Sequence, residues 1–215
     1  NIANLAAQGV TPNNMCILKG FNTALAANTT NVFPFGIWFA YSHTLDVADE
    51  GNADTTYSPA TGQYTGAAGQ STAGLQKWIL TGGSWQLAYV LASGLKLGVP
   101  NAIAGYPTGL NPMTSLPWAP ATDGLRNITG RVDGFGHATI WGVTSTVSGS
   151  GDQGADPNKA VAITDAVAAT VAPAGEPFRT IRTAGSRGVL RGRSFPPGAA
   201  HRGRPDPARV GGPPL

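Results

Sequence analysis

The sequence predicts an all-β protein, a partial β-propeller of two to three four-stranded blades, with a β-sandwich as the alternative. Three observations point there: a turn-rich composition, short apolar segments grouped in fours, and a recurrence of those groups. The 215 residues include 30 glycines and 17 prolines, and only 12% are charged. Such a chain makes many turns between short elements. An apolar fraction of 41% is enough for the core of one domain.

The first group comprises 35–40 (FGIWFA), 43–49 (HTLDVAD), 74–80 (GLQKWIL) and 85–92 (WQLAYVLA). Gly82-Gly83 reads as a tight hairpin turn, because paired glycines accept the positive φ that a type I′ turn requires. Trp85, Leu87, Tyr89 and Leu91 recur at period two, which places them on one face of a strand. Segment 50–73 shows no periodicity and reads as an exposed loop. The second group follows the same plan over 125–133, 137–147, 159–167 and 177–184, and its long loop, 148–158, again follows the second strand. The stretch 98–124 is too rich in proline and glycine for regular structure. Residues 1–30, with MCILKG, read as the end of an earlier group.

Four-strand groups recurring along a chain are the pattern of propeller blades, whereas eight strands in this length also suit a sandwich. Two and a half blades do not close a ring of four to eight. The propeller reading therefore makes the chain an arc of a larger protein with open sheet edges, which invite association. Residues 1–185 form the propeller-like domain on this reading. Residues 186–215 are an Arg/Pro/Gly-rich tail, either disordered or frame-shifted.

Charge divides close to this boundary, at residue 178. Residues 1–178 carry six basic and ten acidic side chains, a net −4, whereas 179–215 carry eight arginines and one aspartate, a net +7. The overall +3 is thus a property of the tail and does not predict specific nucleic-acid recognition. No run reaches the roughly 18–20 apolar residues of a membrane span. The start lacks a basic and apolar leader, which suggests a mature form or a fragment. Cys16 is the one cysteine, so there is no intrachain disulfide, and within MCILKG it reads as an inert buried thiol. Asn28-Thr29-Thr30 and Asn127-Ile128-Thr129 match the glycosylation sequon.

The acidic loops are the candidate cation sites. Glu50, Asn52 and Asp54 place oxygen atoms at alternate positions, and Asp152 and Asp156 bracket a glycine-rich turn. Calcium takes six to eight such oxygens, although neither loop has the closing glutamate of an EF-hand. A plain turn is the competing reading for both, and Asp133-Gly134 reads as a turn. His43 and His137 begin strands without metal-ligand spacing, and His201 lies in the tail. No nucleophile elbow occurs. Trp38, Trp78 and Trp141 sit inside strands and are expected to pack between blades. Trp118, in an irregular loop, is a candidate platform for stacking a sugar.

FPFGIWFA (33–40), VADEG (47–51), GLQKW (74–78), LRNITGRV (125–132) and TSTVSGSGDQGADPNKAVAITD (144–165) resemble strings in a group of exported bacterial proteins with propeller-like repeats. The resemblance spans about 30–185 and implies a secreted, periplasmic or cell-surface propeller with no assigned activity. Two departures stand out. Asp46 occupies a position where that group has an apolar tyrosine, and the tail replaces the group's own C-terminal sequence. The expected function is a ligand- or partner-binding module for a small molecule, a glycan or a surface protein, with calcium as the candidate ion. The alternative is a hydrolase of esterase, lactonase, phosphatase or glycosidase type, with Asp49, Glu50, Asp123 and Asp133 as its carboxylates.

Overall fold

The computed structural model describes residues 18–21, 33–152 and 154–192. Cys16, Gln153, His201 and the first sequon lie outside that range. Among the described residues strands make up 45% and helix 2%, so the protein is all-β. Ten strands are present among the described residues: β1 (Pro34–Tyr41), β2 (Thr44–Asp49), β3 (Tyr57–Ser58), β4 (Gln63–Tyr64), β5 (Gly74–Thr81), β6 (Ser84–Leu91), β7 (Ala121–Val132), β8 (His137–Val147), β9 (Lys159–Ala166) and β10 (Arg179–Thr183). One helical turn, α1 (Thr65–Ala68), follows β4.

Two four-stranded antiparallel sheets, ordered β1-β2-β5-β6 and β10-β9-β8-β7, form the body, and neither closes into a barrel. All eight strands fall where the apolar segments predict them. The β5–β6 hairpin turns at Gly82 and Gly83, whose φ values of +57° and +74° suit only glycine at low cost. The sheets pack with β1 and β2 against β7. Glycine permits the close approach. A Cβ on Gly36 would lie 2.7 Å from the Arg126 carbonyl oxygen, and one on Gly130 would lie 2.6 Å from the Trp38 ring.

The shared core contains Ala48, Leu75, Tyr89 and Leu91 from the first sheet and Leu125, Ile128, Ile140, Val161 and Ile163 from the second. A separate cluster, Leu45, Val47, Trp78 and Trp85, covers the opposite face of the first sheet, where Leu18 and Phe21 pack on it. Phe21 stacks on Trp78 with ring centroids 4.1 Å apart.

Three expectations need correction. Trp85 does not share a face with Tyr89 and Leu91, because the β5–β6 register slips between Lys77 and Trp78. One extra residue at Ala88 exchanges the two faces of β6, as a β-bulge does. Trp38 does lie between the sheets, but Trp78 faces away from the second sheet. Trp141 follows the core residue Ile140 on β8, so it lies on the far side of that strand. Finally, 50–73 is not a featureless exposed loop. It contains β3, β4 and α1, and it buries Tyr64 and Ala67 against Ala121 and Val147. That segment folds because it finds a partner at the end of the second sheet, which local periodicity does not reveal.

The described part of the tail stays on the body. Asn158 donates from Nδ2 to the Leu190 carbonyl (2.9 Å) and accepts from the Leu190 amide at Oδ1 (2.7 Å).

Candidate functional site

β2 ends and β5 and β7 begin at the same end of the molecule, so 50–73 and the long connection 92–120 meet there. Asp49, the last residue of β2, is fully buried. Its carboxylate accepts from the Phe33 amide (2.9 Å), the Gly51 amide (3.0 Å) and Gln76 Nε2 (2.8 Å). Burial raises its pKa even against these bonds. Asp123, near the start of β7, accepts from the Ala53 amide (2.8 Å) and Gln70 Nε2 (2.6 Å). Burial pushes it to about 6. Ala53 adopts a left-handed φ of +58° in the loop that delivers this amide.

Both buried carboxylates thus hold the 50–73 segment in place. Glu50 is the accessible member of the group, paired with Arg126 Nε at 2.8 Å. The Arg126 guanidinium also lies 5.4 Å from the Phe35 ring centroid. The structure therefore gathers Asp49, Glu50 and Asp123, as a carboxylate site requires. It does not add Asp133, which turns the β7–β8 hairpin by accepting from the Phe135 and His137 amides (2.8 and 2.9 Å).

Of the cation candidates, Asn52 and Asp54 form local turns. Asn52 Oδ1 accepts from the Asp54 amide, and Asp54 Oδ1 accepts from the Thr56 amide and hydroxyl, which are turn-forming bonds. In 148–158, Asp156 is buried and accepts from the hydroxyls of Tyr106 (2.6 Å) and Ser148 (2.6 Å). Asp152 is exposed. Among the described residues, no group of three or more His, Cys, Asp or Glu side chains is placed to hold a metal ion, and no helix is long and apolar enough to cross a membrane. His43 and His137 are both exposed.

Trp118 is half-buried at the base of a pinned loop. Leu110 and Pro117 form a bridge across that loop, and Trp118 donates its amide to the Gly109 carbonyl (3.0 Å). Asn111 Nδ2 and the Thr114 hydroxyl both donate to the Gly149 carbonyl (2.5 and 3.2 Å). The tip nevertheless presents Leu110 and Met113 to solvent, 57% and 90% exposed.

A second polar cluster lies between the sheets, and of its members only Asp46 stands out in the sequence as a misplaced charge. Asp46 and Lys77 face one another across β2 and β5, and both are almost fully buried. Lys77 Nζ reaches over to the second sheet, 2.8 Å from Asp165 Oδ2, and donates to the Tyr89 hydroxyl (3.0 Å) and the Ala166 carbonyl (2.6 Å). Tyr89 donates to both Asp165 oxygens at 2.8 Å, and burial raises its pKa. Glu176 lies beside Asp165, and burial followed by the Asp165 charge raises its pKa. Asp46 Oδ1 and Glu176 Oε2 are buried without a hydrogen-bond partner. The signal available in the sequence was a charge in the middle of a mostly apolar strand, in TLDVAD and again in GLQKWIL.

No protein-family model matches the chain, and no curated protein or solved structure matches it.

Proposed function

We propose that the chain is a non-catalytic binding module, part of an exported propeller-type repeat protein, whose long-loop end engages a ligand or partner. One observation carries this reading: the loop 109–118 is fixed by Asn111 and Thr114 to Gly149 while Leu110 and Met113 remain exposed. A pinned loop with apolar side chains outward loses little conformational freedom on binding. Trp118 at its base adds an aromatic face suited to a glycan or a small apolar molecule. The blade reading is supported by two antiparallel meanders in chain order whose first strands, β1 and β7, are neighbours.

The hydrolase alternative is disfavoured by the state of its carboxylates. Asp49 and Asp123 are 0% and 2% exposed and already hydrogen-bonded to loop donors, which leaves no open acid–base pair for a substrate. The test is a binding screen on a glycan and peptide panel with the full chain and the Leu110→Ser/Met113→Ser/Trp118→Ala variant. Binding that the variant loses at unchanged melting temperature is expected. Turnover of ester, phosphate or glycoside substrates that Asp123→Asn abolishes would replace this reading with the enzymatic one.

A further inference from the structure

The cluster between the sheets is hard to explain as an ordinary ion pair. Asp165 contacts one cation, Lys77, and Asp46 lies opposite it in register, in an apolar layer formed by Leu75, Leu91, Ile140 and Ile163, with the half-buried Glu176 beside Asp165. Two carboxyl oxygens there have no hydrogen-bond partner. Burying charge is costly, and the cost is recovered only when every lone pair is satisfied. This site leaves that cost standing. The arrangement is instead what an amine and a carboxyl need in order to condense: contact, exclusion of water, and neighbouring acids to carry protons.

We propose that Lys77 and Asp165 form an intramolecular isopeptide bond that joins the two sheets, with Asp46 and Glu176 as proton carriers. The Lys77 ammonium first gives a proton to Asp46, the residue opposite it in register. The freed Nζ lone pair then attacks Asp165 Cγ, the atom next to the oxygen it already contacts at 2.8 Å. Tyr89, donating to both Asp165 oxygens, steadies the charge that develops on the tetrahedral centre. Glu176 protonates the departing oxygen, the C–O bond breaks, and the amide forms. Nζ brings three hydrogens. One remains on the amide and two leave with the Asp165 oxygen as water, with both acids restored through proton exchange.

An ammonium and a carboxylate thus become a neutral amide and one water, with no further reactant. The dry surroundings favour this direction, because they penalise the charged reactants and expel the product water. Asp46, raised to about 7 chiefly by burial, is a carboxyl that exchanges its proton near neutrality.

The experiment is the intact mass of the purified full chain, followed by a tryptic map. We expect the chain to be one water lighter than its sequence. Trypsin should fail to cut after Lys77 and should release a branched peptide joining 20–96 to 160–179. Location matters, because Asp123-Gly124 and Asp133-Gly134 can also lose water by cyclising. Lys77→Arg should restore the full mass, and Glu176→Gln should slow or stop the loss. A freshly purified and an aged sample that both show the full sequence mass would overturn the proposal without any variant. So would a water loss that maps elsewhere or persists in Lys77→Arg, and an unchanged rate in Glu176→Gln would remove that residue from it.

Discussion

In protein that keeps its full sequence mass, and so holds no Lys77–Asp165 amide, replacing Asp46 by asparagine isolates the electrostatic cost of the inter-sheet cluster. Burial, only partly offset by Lys77 and reinforced by Asp165, raises Asp46 from its ordinary 3.8 to about 7. Between those two values the folded chain holds a proton that the unfolded chain has released. Stability therefore falls as pH rises through that window, and the full cost is present above pH 7. A shift of about three pH units corresponds to roughly 4 kcal/mol. Asp46 is 2% exposed, so solvent screening does not discount this figure. Asparagine keeps the shape and carries no charge. The stability of Asp46→Asn relative to wild type should thus improve by roughly 2–3 kcal/mol on going from pH 5 to pH 8. Urea denaturation of both proteins at several pH values measures this directly. The difference between the two is the diagnostic quantity, because Asp49, Asp123 and Glu176 titrate in both. A constant difference across pH, or a variant that weakens as pH rises, would show that Asp46 is stabilised as a carboxylate and refute the reasoning.

Two further substitutions test the packing. Gly130→Ala puts a methyl 2.6 Å from Trp38; the ring must shift, at a cost of about 1–3 kcal/mol, visible as a red shift of tryptophan emission and a lower melting temperature. An unchanged melting temperature would mean that β1 does not seat on β7 as described. Asp156→Ala removes the acceptor of Tyr106 and Ser148 and should cost about 1–3 kcal/mol. Adding Tyr106→Phe to it should cost little more, because the two residues share one bond; full additivity would refute the pairing.

Much of the framework was legible from local patterning. Alternating apolar residues marked β1, β2, β5 to β9 and β10, and Gly82-Gly83 marked its hairpin, because these depend on side chains within a few residues of one another. Asp133-Gly134 was a turn for the same reason. The face of Trp85 was not legible, since the extra residue at Ala88 exists only relative to β5. Likewise, Tyr64 reads as a loop residue until Val147 and Ala121 cover it.

The candidate sites divide along the same line. Asp49, Glu50 and Asp123 were recognisable as acids near strand ends, and their grouping follows from the meeting of β2 with β7. That the two buried ones would be occupied by Phe33, Gly51, Ala53, Gln70 and Gln76 depends on contacts up to 70 residues apart. Asp46 stood out as a misplaced charge, but Asp165 and Glu176 did not, because each looks ordinary in its own segment.

By itself, the sequence determined where this chain extends, where it turns and which faces are oily, since those preferences act over two to four residues. Only the tertiary structure decided that Lys77 of one sheet meets Asp165 of the other, 88 residues away. A charge buried alone is forbidden by desolvation, and its partner is chosen by how the sheets come together.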